Sequence, residues 1–256
     1  MDRRRVHENC PSLNERGDKI VNELHHPEAE PNTRIVILTS EKVNEEEIRR
    51  NDRYENVYFV YGDPTIHSSL EKGANAHLAK CVVILVDDKC PDPDGKTALI
   101  ALAIEKLAKN KGLPSPRILA EVKNHRKIEH LIDAGVDEWI CATDYGLGIL
   151  AQCVFSPKLT EVYHQLLTFG EETCEIYFIP PDKIPHTLYG KTFEEIADFF
   201  NKNRDADNPS ILLGVKREKK IILNPRRGKD EFDKLKKDDS LIVLAYTWPK
   251  INFKEK

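Results

Sequence analysis

The sequence predicts an α/β protein, a doubly wound parallel sheet followed by a smaller α+β lobe. Three observations carry that reading. Five short runs of β-branched and other apolar residues recur between residues 34 and 142, each closing in polar residues. Segments with apolar positions at helical spacing lie around and between them. Beyond Gly170 the order changes to several strand-like runs around one helical segment. Alternating strands and helices with short links pair in parallel through right-handed crossovers. A strand covered by helices on both faces reads as an unbroken apolar run.

Taken in order, Leu13, Gly17, Ile20, Val21 and Leu24 set a helix ahead of the first clear strand. The five strand runs are Arg34–Thr39, Asn56–Tyr61, Cys81–Val86, Arg117–Val122 and Glu138–Ala142. Ile100, Ala103, Ile104, Leu107 and Ala108 give a helix over Gly95–Asn110, with Asp94 as its expected N-cap. Ile128, Leu131 and Ile132 mark another within Asn124–Gly135, closed by a glycine suited to a left-handed cap. Asp144–Thr168 is a long helical stretch interrupted at Ser156-Pro157, after which Leu159, Val162, Tyr163, Leu166 and Leu167 keep helical spacing. The segment from Phe169 to Glu172 reads as a boundary.

Strands are then expected at Cys174–Ile179, Ile211–Val215, Ile221–Leu223 and Leu241–Ala245. Thr192 with Glu195 announces a capping box ahead of Phe193, Ile196, Ala197 and Phe200. The expected division is 1–142, 143–169 and 170–256, with the middle segment a crossover between two lobes.

Composition excludes several classes. Of 256 residues, 40% are hydrophobic and 32% charged, which is not the signature of a disordered chain. A net charge of −4 provides no global field for nucleic acid. No apolar run approaches the roughly 20 residues that a membrane-spanning helix needs. The basic start at Met1–Arg5 has no apolar stretch behind it and is no secretory signal. Six scattered cysteines without a CxxC predict reduced thiols, with Cys81 and Cys141 inside apolar runs as small hydrophobes. The expectation is a soluble, intracellular protein.

A sheet of this kind binds dinucleotides where its first strand runs into G-x-G-x-x-G. Here the corresponding region is Val6–Gly17, polar and broken by Pro11. Ser12, Asn14 and Gly17 are the candidate phosphate-loop residues, and only Gly17 occupies a glycine position of the motif. The other reading of Gly17 is a packing glycine in a fold that has lost part of its nucleotide site. Ser40 and Glu41, after the first clear strand, are placed to bind ribose hydroxyls, unless Glu41 simply begins a solvated charge run. Gly62 and Asp63 either face an adenosine or form a turn.

Asp87 opens the acidic segment that runs to Asp94, whose carboxylates suit a hard cation although no EF-hand loop is present. Glu121, an acid within a buried strand, requires a partner or a cation. G-x-S-x-G, H-E-x-x-H and P-loop motifs are absent from the sequence. His25-His26 reads as the end of a helix, and Lys216–Lys220 as a solvated hairpin turn.

Taken together, these segments resemble the RCK domain (TrkA-N plus TrkA-C), the regulator of potassium conductance. The likeness is carried by GDPT at Gly62–Thr65, VILVDD at Val83–Asp88, ILAEV at Ile118–Val122 and AGVDEWI at Ala134–Ile140. It continues through Ser156-Pro157 into LYGKTFEEI at Leu188–Ile196 and DSLIVLAY at Asp239–Tyr246. The resemblance implies a Rossmann-like N-lobe, a crossover helix that pairs subunits, and a C-lobe. It implies a homo-oligomer, from dimer to octameric ring, acting on a membrane potassium pore domain or transporter subunit from the cytoplasmic face. Ligands implied are NAD(H) or another adenine nucleotide, and Ca2+. In calcium-gated members the corresponding acids are ligands, here Asp87 and Glu121, while Lys123 replaces a further acid. The seam expected from Leu159–Leu167 either joins two copies or packs on the chain's own N-lobe. The alternative activity is an NAD(P)-dependent oxidoreductase, which would need a proton relay such as Tyr-x-x-x-Lys.

Overall fold

The computed structural model describes residues 15–26, 32–170, 172–226, 228 and 232–249. Two compact units divide the chain, 1–157 and 158–256.

In the first unit the described elements are α1 (Glu15–Leu24), β1 (Ile35–Thr39), α2 (Glu45–Ile48), β2 (Val57–Tyr61) and β3 (Cys81–Ile84). They continue with α3 (Pro93–Asn110), β4 (Arg117–Glu121), α4 (Ile128–Asp133), β5 (Glu138–Ile140) and α5 (Ala142–Phe155). All five expected runs are strands, trimmed at their ends. Every pairing is parallel: Ile35 sits opposite Val57, Cys81 opposite Arg117, and Leu119 opposite Glu138.

Among the described residues the sheet lies in two pieces, β1–β2 and β3–β4–β5. A doubly wound sheet with strand order 3-2-1-4-5-6 explains the division. The first piece supplies positions 3-2 and the second 4-5-6. No strand lies between the two pieces among the described residues, and residues 1–14 lie outside them. The helix α3 covers one face of β3 and β4. Ile104, Ile118 and Leu131 are fully enclosed there, with Ile84, Ala120 and Val136 around them. Burying such a side chain contributes about 1.5–3 kcal/mol. A second, smaller cluster joins Val21 of α1 to Tyr54 and Val57.

Local chemistry departs from expectation in three places. The N-cap of α3 is Asp92, whose side chain accepts the Gly95 N–H, because Pro93 starts the helix earlier than Gly95. The short helix α2 begins within the Glu41–Glu47 charge run. Cys81 is exposed at the start of β3, which pairs with β4 alone among the described residues, whereas Cys141 is buried as expected. Gly135 does adopt a positive φ of 96°, closing α4.

In the second unit α6 (Leu159–Leu167) precedes β6 (Glu175–Ile179), α7 (Phe193–Lys202), β7 (Ile211–Arg217), β8 (Lys220–Leu223) and β9 (Ser240–Ala245). The sheet is antiparallel in the order β6-β9-β7-β8. One face packs Ile179, Val215, Leu241 and Val243 against Ile196 and Phe200 of α7. The Thr192–Glu195 capping box is present in both directions. β7 carries a bulge between Leu212 and Gly214, and a Cβ on Gly214 would collide with the Ile222 carbonyl oxygen. Arg217, at the expected Lys216–Lys220 hairpin, reaches the buried Asp239 through both carboxylate oxygens, at 2.9 and 2.7 Å. The outer face of this sheet is also apolar, exposing Ile176, Phe178, Ile211, Ile221 and Leu223. Trp248 meets Tyr177 edge to face, while Trp139 packs on the core of the first unit. Among the described residues no helix is long and apolar enough to cross a membrane.

Candidate functional site at the carboxyl edge of the parallel strands

Parallel strands deliver the residues that follow them to one edge, where ligands of such sheets bind. Most candidates from the sequence arrive there. After β1, the Thr39 hydroxyl accepts the Glu41 N–H at 3.1 Å, turning the chain so that Glu41 pairs with Lys89 beyond β3. Ser40 is exposed in that turn. After β2, the Gly62 N–H donates to the Thr39 carbonyl at 2.9 Å. A side chain on Gly62 would stand 2.6 Å from the Ser69 hydroxyl, so glycine permits this close approach. Asp63 accepts the Thr65 N–H at 2.8 Å and its hydroxyl at 2.7 Å. That is the turn-forming geometry, and these two hydrogen bonds hold the Asp63 carboxyl below its usual range.

After β3 the acids are tied to the chain's own cations. Asp87 receives Lys96 of α3 at 2.8 Å and the Lys89 N–H at 3.0 Å, and the Lys96 contact chiefly lowers its pKa. Asp88 receives Lys123 at 2.8 Å and Arg16 of α1 at 2.6 Å, again with a lowered pKa. Glu121, at the end of β4, satisfies the requirement for a partner. One carboxylate oxygen accepts the Val86 N–H at 3.0 Å and the Arg16 guanidinium at 3.3 Å. The same guanidinium nitrogen of Arg16 reaches the Val86 carbonyl at 3.3 Å. Asp94, expected as a cap, is instead buried, and its two oxygens accept the Lys123 and Asn124 N–H groups at 2.8 and 2.9 Å. It closes the turn after β4 against the start of α3.

The arrangement is a network of alternating charge linking α1, β1, β3, α3 and β4. Asp87 and Glu121 are held by different cations, Lys96 and Arg16, so a divalent ion taking both would have to displace both contacts. Among the described residues no group of three or more His, Cys, Asp or Glu is placed to hold a metal. Gly17 is buried in the first turns of α1, while Ser12 and Asn14 lie outside the described residues. Sequence reasoning missed Arg16, Lys89 and Lys96. The available signal was position: Arg16 adjoins Gly17 at a helix start, and Lys96 lies in the first turns of a helix that follows an acidic strand end. The spacing Tyr-x-x-x-Lys occurs at Tyr246 and Lys250, after the antiparallel strand β9 of the second unit, with Lys250 outside the described residues.

Comparison with known proteins agrees with this geometry. Residues 15–128 match the family model of the calcium-activated potassium channel slowpoke-like RCK domain. The calcium-gated potassium channel TvoK of Thermoplasma volcanium is 28% identical over 142 residues, covering 54% of this chain and 38% of that protein. The human SLO3 gating ring superimposes with a TM-score of 0.61 at 17% identity, covering 84% of this chain and 40% of that one, and so shares the fold. The GsuK channel bound to NAD aligns with a TM-score of only 0.36 at 16% identity, covering 84% of this chain and 36% of that one, a likeness too loose to match residue to residue. The chain thus spans well under half the length of these relatives. With the strand-end motifs in order and parallel strand pairs of Rossmann type, residues 15–128 of this chain are similar to the RCK domain of slowpoke-like calcium-activated potassium channels.

Proposed function

We propose that this chain is a ligand-sensing regulatory domain of a potassium channel or transporter, working at the inner face of the membrane, with no catalytic role. The observation that carries the reading is the carboxyl-edge network. A ligand that displaces Lys89 from Glu41, or Arg16 from Asp88 and Glu121, changes the spacing of α1, β1 and β3. Such a ligand gates only by the difference in its affinity for two arrangements. An adenine nucleotide such as NAD(H) fits this edge. Arg16, Lys89, Lys96 and Lys123 offer phosphate partners, and Ser40 and Glu41 offer ribose partners. The metal reading, Ca2+ at Asp87 and Glu121, is second because both acids already have cations.

We assign residues 1–142 to the N-lobe, 143–169 to the crossover and 170–256 to the C-lobe. Homo-oligomer formation is supported by α5, which buries none of its residues and exposes Tyr145, Leu147, Leu150, Val154 and Phe155. An apolar patch of this kind marks an interaction surface.

The test is calorimetry on the whole chain with NAD+, NADH, ATP, ADP and AMP, then with Ca2+. Saturable nucleotide binding lost in Glu41→Ala is expected. Calcium heat abolished by Asp87→Asn and Glu121→Gln, without nucleotide binding, would move the reading to a cation sensor. No heat with any ligand would overturn ligand sensing.

A further inference from the structure

We propose that one end of the second unit docks on the surface of an anionic phospholipid membrane, an inference that rests on the reading above that the chain works at the inner face of a membrane. β7 and β8 form a hairpin whose closed end carries Lys216, Lys219 and Lys220, all exposed. Lys234, Lys236 and Lys237 are exposed in the turns that lead into β9. Arg217 ties the two groups together. It lies opposite Lys220 in the hairpin, and its guanidinium donates to the Lys234 carbonyl at 2.8 Å. Asp239, its buried partner, accepts the Lys236 N–H at 2.7 Å. Arg217 and Asp239 neutralise each other, so the six lysines outnumber Glu218, Asp233 and Asp238, the other acids of these segments. Among the described residues Lys216, Lys219, Lys234, Lys236 and Lys237 pair with no acid. The excess is local, since the whole chain has a net charge of −4.

Apolar surface adjoins the lysines. In β8, Ile222 packs inward, while Ile221 and Leu223 are 50% and 61% exposed. Residues paired across a sheet share a face. Ile221 stands opposite Lys216, and Leu223 stands opposite Gly214, which has no side chain to cover it. The face continues through Ile242, opposite Gly214, to Phe178, whose ring centre lies 5.8 Å from the Lys216 ammonium. A layer of lipid headgroups takes both features at once. Ammonium groups meet phosphates, and aliphatic side chains with the lysine stems enter the acyl boundary. The charge type fits as well. An ammonium is a point charge without the planar fork by which a guanidinium fixes one phosphate in one geometry, so lysines suit a fluid array of headgroups. An acidic polypeptide would engage the same lysines and leave Ile221 and Leu223 bare.

The test sediments the 256-residue chain with vesicles of phosphatidylcholine alone and of phosphatidylcholine with phosphatidylglycerol. Saturable binding to the anionic vesicles is expected, weakening as salt rises. Neutralising Lys219, Lys236 and Lys237 together as Lys→Gln should weaken it roughly hundredfold, at about fivefold for each charge. The same change at Lys80, Lys106 and Lys109, exposed lysines of the first unit, should leave it intact. Ile221→Ser with Leu223→Ser should weaken it at every salt concentration. Circular dichroism checks that each variant is folded. The proposal is overturned if anionic vesicles do not bind, if both lysine triples lose binding equally, or if the hairpin triple binds like the unaltered chain. Tighter binding to polyglutamate than to vesicles, unaffected by the serine changes, assigns this end to an acidic polypeptide and likewise overturns it. Nucleotide heats measured on the same protein stand apart. Nucleotide binding without vesicle binding removes this inference alone, and vesicle binding without any ligand heat removes ligand sensing alone.

Discussion

Asp239 is almost wholly enclosed and meets Arg217 through both oxygens while also accepting the Lys236 N–H at 2.7 Å. Removing one member of a buried pair leaves the other charge uncompensated. Asp239→Asn should destabilise the second unit by about 3–5 kcal/mol, read from the urea midpoint at constant m-value. Asp87 gives a prediction with a sign. Its folded carboxyl ionises below the ordinary 3.8, chiefly through Lys96, so folding favours the charged form. That stabilisation is complete above about pH 4 and is lost as pH falls through the lower folded value. Lys96→Met should move the Asp87 titration, followed by carboxyl carbon NMR, back up toward 3.8; an unmoved titration would show that Lys96 is not its cause. At this scale the sequence revealed which acids lie at strand ends but not what they touch. Glu121 needed a partner, and the strand-end logic could not name Arg16, which comes from a helix more than a hundred residues earlier. Asp92 caps α3 in place of the expected Asp94 because the proline between them sets where the helix begins.

Strand existence was legible because a short β-branched run closed by turn residues suits a strand covered on both faces and little else. Their pairing partners came from topology rules, and their exact ends did not, since the last residues of a run lose their neighbours. Gly214 shows the limit. Nothing local marks it as special, yet the bulge in β7 brings the Ile222 carbonyl to where a Cβ would be. Gly214→Ala should cost about 1–3 kcal/mol by forcing β7 and β8 apart, measured by chemical denaturation. Thr192→Ala, by contrast, should cost about 1 kcal/mol, the ordinary value of an N-cap, because the capping box was readable from sequence and is formed as read. Two changes of similar size on paper thus separate a contact set by tertiary structure from one set by neighbouring residues.

For the whole molecule, the succession of a parallel α/β unit and an antiparallel unit was legible. The division of the described parallel strands into β1–β2 and β3–β4–β5 was not. Assembly is the property that sequence patterning reached least directly. Phe155, 87% exposed, and Leu150, 63% exposed, lie on α5, and Leu167, 67% exposed, lies on α6. Leu150→Glu with Phe155→Glu should lower the mass measured by light scattering to that of a smaller species, with circular dichroism unchanged; an unchanged mass would remove α5 from the assembly surface.

Both tryptophans of the chain are placed, Trp139 in the first unit and Trp248 against Tyr177 in the second. Each unit therefore carries its own fluorophore, and Trp139→Phe and Trp248→Phe isolate one emission at a time. Denaturation curves that coincide in the two variants would mean the units melt as one cooperative body, and curves that separate would mean either can open while the other stays folded.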